Sequence, residues 1–334
     1  MMTLKFRRAL LGTAAVCVTC AIATPSLATD PTPKWCGGVK IAAIVPGYPP
    51  GSGDAISDLF SNGYRQAEVD LGPSVAYSYA NWDTGSITSQ LQQAIEAKVD
   101  AIAFPGYPGD AAADALIDKA FAQGTIVTSM NMGLPEAEKK HSAQGLGYVA
   151  AHPYPAGFGL ASEAARRADV KPGDKVLVWR FEVPGSQQNQ IGQGMSDALE
   201  KAGARIVALD ANTTDPNGVF IAAIKANPDL KLVITDESYF GSNLGTYALA
   251  AGLKPGQIFM ATTMVLPMTA QAIKDGYVSL TFDSQDYLHG YLSILNLCLT
   301  KKFGFSGLHV DTSGAFIDAT NVEAVAPMVQ KGIR

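Results

Sequence analysis

The sequence predicts an α/β protein built from two successive doubly wound halves, each a parallel sheet covered by helices on both faces. Three observations carry this. Apolar runs such as Ile41-Ala42-Ala43-Ile44-Val45 show no polar alternation, which is the mark of strands buried on both faces. Each run empties into Gly, Pro or polar residues and then into a stretch with helical spacing, as in Leu91, Ile95 and Val99. The same alternation restarts after Tyr148, and a chain of 334 residues is long enough for two domains.

Taken in order, the first half offers strands at Lys40–Val45, Val75–Tyr79, Ala101–Phe104 and Thr125–Thr128. Helical stretches at Ala55–Val69, Ser86–Lys98 and Ala111–Ala122 fall between them. The second half offers strands at Lys175–Trp179, Arg205–Leu209, Leu232–Ile234, Ile258–Ala261 and Val278–Thr281. Its helices fall at Gly157–Ala168, Gln187–Ala202, Gly218–Ala226, Asn243–Ala251 and Ala270–Lys274, with Gly203 and Gly252 where helices end. A long helix over Tyr287–Lys301, a short strand–turn–strand from Leu308 to Asp318 and a helix over Val322–Lys331 complete the chain.

The N-terminus reads as a leader. Lys5, Arg7 and Arg8 form a basic region, Ala9–Ala23 is apolar and uncharged, and Ser26-Leu27-Ala28 offers a cleavage site, so residues 1–28 are expected to be a signal peptide. Neither Cys17 nor Cys20 sits behind a lipobox. The whole chain holds 25 Lys and Arg against 30 Asp and Glu; without the leader's three basic residues, the mature chain has 22 against 30, a net charge of −8. An acidic chain without a basic patch argues against nucleic acid as a partner. Two cysteines remain, Cys36 and Cys298. An even pair in an oxidising compartment invites a disulfide; two unrelated thiols are the alternative, because spacing alone does not bring the Cα atoms together.

Ligands of open parallel sheets bind beyond the carboxyl ends of the strands. The residues there are Tyr48 and Asp54, Trp82 and Asp83, Tyr107, Asn131, Arg180 to Asn189, Asp210 to Thr214, Asp236 to Tyr239, Thr262 to Met264, and Asp283 to Asp286. They are rich in hydrogen-bonding side chains, with Tyr48, Trp82, Trp179 and Tyr239 among them. Flat aromatic faces beside fixed polar groups suit a small neutral polyhydroxylated ligand, whose hydroxyls each need a partner once water leaves. Enzyme motifs are weak by comparison. Gly145-Leu146-Gly147-Tyr148-Val149-Ala150 has dinucleotide-fingerprint spacing but precedes a strand-like run, and there is no Walker A sequence or nucleophile elbow. His141, His152, His289 and His309 lack metal-ligand spacing and read as surface or helix residues. Met260, Met264 and Met268 read first as packing. No cofactor or metal is expected. Asp83 and Asp283 remain the carboxylates a secreted carbohydrate hydrolase would use.

Three stretches carry a resemblance: the opening KIAAIVPGYPP, the segment LVITDESYFGSNLGTYALAAG, and DGYVSLTFDSQDYLHGY from Asp275 to Tyr291. They resemble the type I periplasmic binding proteins, the ribose-binding-protein-like substrate-binding components of sugar ABC transporters. The resemblance implies two lobes joined by a three-segment hinge, with crossings near Ala150–His152, Asp283–Gln285 and His309–Thr312. The implied division is residues 29–150 plus 285–310 for the first lobe and 151–284 plus 311–334 for the second. It puts Cys298 in the lobe of Cys36 and so implies that they pair.

Carried over, the ligand contacts fall on Asp54, Asn131, Asn189, the Asp236–Glu237–Ser238 segment, Thr263 with Met264, and Gln285. With the strand-end residues Tyr48, Trp82, Asp83, Trp179 and Asp283, they form the expected ligand set. Asn131-Met132 stands where ribose-type proteins carry Asp-Arg, and Met264 where they carry Asp, which removes charge-assisted contacts and points away from plain ribose. The resemblance thus implies a monomeric, non-enzymatic periplasmic receptor for a monosaccharide or sugar alcohol, closing on its ligand and delivering it to an ABC transporter permease. A receptor that reports to a chemoreceptor or kinase is the related alternative.

Overall fold

The computed structural model describes residues 34–181, 189–211 and 213–334. The expected leader, the start read for a helix at Gln187 with the rest of 182–188, and Asn212 lie outside the described residues. Two six-stranded sheets organise the chain, and both use the same strand order.

The first sheet holds β1 (Lys40–Val45), β2 (Ser74–Tyr79), β3 (Ala101–Pro105), β4 (Ile126–Met130) and β5 (Gly147–Ala150). Its helices are α1 (Ala55–Leu71), α2 (Thr84–Glu96), α3 (Asp110–Ala122) and the short α4 (Pro135–His141). Then α5 (Pro153–Arg167) enters the second half. There β6 (Lys175–Arg180), α6 (Asn189–Lys201), β7 (Arg205–Asp210), α7 (Pro216–Ala226), β8 (Leu230–Thr235), α8 (Ser238–Ala250), β9 (Phe259–Thr263), α9 (Pro267–Lys274) and β10 (Leu280–Phe282) alternate. The chain ends with α10 (Asp286–Phe303), β11 (His309–Asp311), β12 (Phe316–Ile317) and α11 (Val322–Gln330).

The sheets run β11-β5-β4-β3-β1-β2 and β12-β10-β9-β8-β6-β7. All pairings are parallel except β10 with β12, where Thr281 faces Ile317. The strand–turn–strand read at Leu308–Asp318 is divided between the sheets: β11 adds to β5 and β12 to β10, so the turn carries the chain from one lobe to the other. The helix α4 was not legible, being seven residues of mostly charged sequence.

Each sheet is covered on both faces. Phe60, Tyr64, Ile294 and Leu297 from α1 and α10 pack one face of the first sheet, and Ile87, Leu91, Ile95 and Ile117 from α2 and α3 pack the other. The second sheet is covered by Leu160, Ala164, Met195 and Leu199 from α5 and α6, and opposite by Phe220, Leu244, Tyr247 and Ile273.

In both lobes two helices meet backbone to backbone at paired glycines. A Cβ on Gly63 of α1 would stand 2.0 Å from Tyr287 O, and one on Gly290 of α10 would stand 2.3 Å from Phe60 O. Gly157 of α5 and Gly194 of α6 make the matching seam, against Ile191 O at 2.0 Å and Tyr154 O at 2.4 Å. A disulfide joins Cys36 to Cys298, fixing α10 to the base of the first lobe.

Three segments connect the sheets: after β5, after β10 and after β11. Thr312 ties them together. Its N–H donates to Ala150 O at 3.1 Å, its hydroxyl donates to Ser284 O at 2.9 Å, and its carbonyl accepts from Gln285 Nε2 at 2.9 Å. Asp283 N donates to Ala315 O at 3.3 Å and Gly314 N to Asp283 O at 2.9 Å. No helix among the described residues is long and apolar enough to cross a membrane.

Candidate functional site

Strand C-terminal ends of both sheets border one cleft of about 1170 Å³. The first lobe contributes Tyr48, Asp54, Trp82, Tyr107 and Asn131; the second contributes Asp236, Glu237, Ser238, Tyr239, Asn243, Thr263, Met264 and Met268. Asp286 and His289, from the first turn of α10, form part of its floor.

On the first lobe, Asp54 caps α1, accepting from Ile56 N at 3.1 Å and Ser57 N at 3.3 Å. Its other oxygen accepts from Trp82 Nε1 at 2.7 Å and from the Ser57 hydroxyl. Trp82 has a left-handed backbone, φ 61°, which turns the indole over the cap. Gly47 makes room for this cluster: a Cβ there would fall 1.8 Å from Ser57 Oγ and 2.7 Å from Asp54 Oδ2. Trp82 also meets Tyr107 edge to face at 6.0 Å. Asn131 Nδ2 donates to Tyr107 Oη at 2.8 Å, and burial pushes the phenol above its ordinary range, so it stays protonated. Tyr48 is 43% exposed and presents its ring to the cleft mouth.

On the second lobe, Asp236 follows β8 and is buried. Its Oδ1 accepts from Phe181 N at 2.9 Å, while Oδ2 has no hydrogen-bond partner among the described residues. Burial pushes this carboxyl up to about 7, with Glu237 adding repulsion and Arg180 pulling it back. Glu237 caps α8 through Phe240 N at 2.6 Å, and burial raises its carboxyl too. Thr263 donates to Asp236 O at 3.1 Å and holds the loop after β9 against the loop after β8. Among the described residues no Lys or Arg lines the cleft, whereas four carboxylates do: Asp54, Asp236, Glu237 and Asp286.

Nine of the expected residues therefore stand on the cleft wall: Tyr48, Asp54, Trp82, Asn131, Asp236, Glu237, Ser238, Thr263 and Met264. Five do not. Trp179 is fully buried, packed on Phe240 at 4.6 Å and Phe220 at 5.8 Å, because its position on β6 points into the α7–α8 layer. Asp83 turns back to cap α2 through Ser86 N at 2.6 Å. Asp283 lies beneath the crossing, paired with Arg334 through Nε at 2.9 Å. Gln285 commits its amide to Thr312. Asn189 begins α6 and is not among the cleft's lining residues.

Among the other lining residues, His289 and Met268 were not anticipated as ligand contacts. His289 and His141 are buried on α10 and α4, and His152 and His309 are exposed, so the four stand as the helix or surface residues they read as. Met264 and Met268 line the cleft, and only Met260 is pure core. His289 carried no strand-end signal, since it lies one turn into a helix.

The sequence matches the family described as periplasmic binding protein domain over residues 48–299. Over 255 residues it is 25% identical to the Xylose/arabinose-binding protein XylF of Sulfolobus acidocaldarius, covering 72% of this chain and 62% of that protein, so the chain spans less than two thirds of this curated relative. A carbohydrate transporter from Acidothermus cellulolyticus 11B, solved with myo-inositol, superimposes with a TM-score of 0.73 at 24% identity, covering 89% of this chain and 99% of the other. A LacI-type putative transcriptional regulator from Bacteroides fragilis superimposes with a TM-score of 0.71 at 17% identity, covering 86% and 99%. Such likeness speaks for the fold, which serves more than one function.

Proposed function

The chain belongs to the periplasmic binding protein domain family, and from that premise we propose that it is the exported receptor of a sugar ABC importer. It binds a monosaccharide or sugar alcohol between its lobes and presents the closed form to the membrane permease. The observation that carries this reading is the cleft itself. Strand ends of both sheets border it, aromatic faces and carboxylates line it, and no cation among the described residues does. Carboxylates accept from hydroxyls and repel anions, and rings pack on the C–H faces of a sugar.

Binding drives closure because only the closed cleft satisfies the guest's hydroxyls from both lobes. Moving such a pair of states from mostly open to mostly closed takes about 5.5 kcal/mol of differential affinity, the yield of a few good hydrogen bonds and ring contacts. The crossings after β5, β10 and β11, knotted at Thr312, are the hinge in this reading. The hydrolase reading loses its carboxylate pair, since Asp83 is a helix cap and Asp283 is tied to Arg334.

A thermal-shift and calorimetric panel of D-xylose, L-arabinose, D-arabinose, D-allose and myo-inositol tests the proposal. A ligand at a hundred times its Kd stabilises by about 2.7 kcal/mol, a shift of several degrees. Stoichiometric binding with the sugar recovered intact supports the receptor. Consumption of the sugar, or binding to none of the panel, overturns it.

A further inference from the structure

The floor of the cleft holds a hydrogen-bond acceptor with nothing to accept from among the described residues. His289 is buried and stacks on Phe60 of α1 at 5.8 Å. Its Nε2 stands 2.8 Å from Thr312 Oγ1. The Thr312 hydroxyl already gives its hydrogen to Ser284 O, so the contact requires Nε2 to be the donor. The ring proton is therefore on Nε2, and Nδ1 is left as an acceptor with no hydrogen-bond partner among the described residues. Burial lowers the ring's proton affinity and keeps it neutral, although Asp286 and a hydrogen bond from the ring to the Ser284 carbonyl pull the other way.

Beside it lies a second acceptor. Asp286 Oδ1 is 3.6 Å from Nδ1, and Asp286 Oδ2 accepts from the Ser284 hydroxyl. Two lone-pair atoms thus face the same space without a hydrogen between them, an arrangement that costs free energy until a donor arrives. Both residues line the cleft, and Nδ1 itself is shielded at the floor, so the donor is a hydroxyl of a guest seated deeply enough to reach past the lining.

We propose that His289 Nδ1, with Asp286 Oδ1 beside it, receives one particular hydroxyl of a neutral polyol, making His289 a specificity-determining ligand contact that rejects the analogue lacking that hydroxyl. The assignment rests on the receptor reading and deepens it by stating what the floor demands. A deoxy guest leaves the buried pair unsatisfied and binds about tenfold to a hundredfold more weakly. Through Nε2 the same ring touches Thr312, so the hydroxyl is read at the residue that knots the three crossings.

The test uses the best-binding member of the sugar panel and its monodeoxy analogues, titrated into the wild type and His289→Phe. Phenylalanine keeps the stacking on Phe60 and removes both ring nitrogens. The wild type should penalise one deoxy position by tenfold or more; the variant should bind the parent sugar correspondingly more weakly and no longer distinguish it from that analogue. Should the variant fail to fold, the 15N resonance of His289 Nδ1 in the wild type decides: it moves upfield on saturation if the nitrogen accepts a hydrogen bond. Sugar binding with an unmoved resonance, or with discrimination intact in the folded variant, overturns the assignment and leaves the receptor reading standing. Failure of the wild type to bind any of these sugars overturns both.

Discussion

Asp236→Asn is expected to make the protein more stable, and by an amount that depends on pH. The native carboxyl is buried, with Oδ1 accepting from Phe181 N and Oδ2 unpartnered among the described residues, and its proton is held up to about pH 7. The unfolded chain releases that proton near the ordinary value of 3.8. Between these values the folded state binds more protons than the unfolded one, so stability falls as pH rises through the window and the full cost is present above pH 7. Carrying a carboxyl from 3.8 to about 7 corresponds to about 4 kcal/mol. Asparagine keeps the acceptor for Phe181 N and never ionises. The variant should match the wild type near pH 4 and exceed it by up to about 4 kcal/mol at pH 8.5, read by urea unfolding at several pH values. A gap between the two proteins that does not change with pH refutes the reasoning. Calorimetry on the same variant should show weaker sugar binding, since stability and function pull this carboxylate in opposite directions.

Three further outcomes follow from named contacts. Trp82→Phe keeps an aromatic face but removes the 2.7 Å bond to Asp54 Oδ2; affinity for the best panel sugar should fall by about 1 kcal/mol, seen calorimetrically. Gly47→Ala drives a Cβ to 1.8 Å from Ser57 Oγ and should lower stability by about 2 kcal/mol; an unchanged melting temperature would show that the Asp54 cluster is slack. The double variant Cys36→Ser/Cys298→Ser should lose about 2–5 kcal/mol, and a reducing agent should lower the wild-type melting temperature while leaving the variant's unchanged.

Much of the fold was legible because its strands are apolar without interruption. Lys40–Val45 reads as a strand from composition alone, and the structure gives the same bounds. Helix starts were harder. The helix read from Asn243 begins at Ser238, because Ser-Tyr-Phe-Gly-Ser looks unlike a helix until the Glu237 cap is recognised. The strand-end rule brought Asp54, Trp82, Asn131 and Asp236 to one cleft. It failed at Trp179 because a strand fully buried on both faces gives no alternation to say which layer a side chain enters. It missed His289 because the chain reaches the floor through the first turn of a helix. Thr312 was reached only as the end of the implied crossing His309–Thr312: its role as the tie lies in contacts with residues far away in sequence.

The glycine seam between α1 and α10 sets more than helix spacing. Asp54 caps one of these helices and His289 sits in the first turn of the other, so the width of the seam is also the gauge of the binding site. Tyr287 O and Phe60 O occupy the places where side chains on Gly63 and Gly290 would begin, so the gauge is written in peptide backbone. A methyl group added at either glycine would splay the two helix ends and resize the chamber from behind, without altering any residue a guest touches. Relatives that keep the same wall yet prefer larger or smaller guests could arise by that route alone.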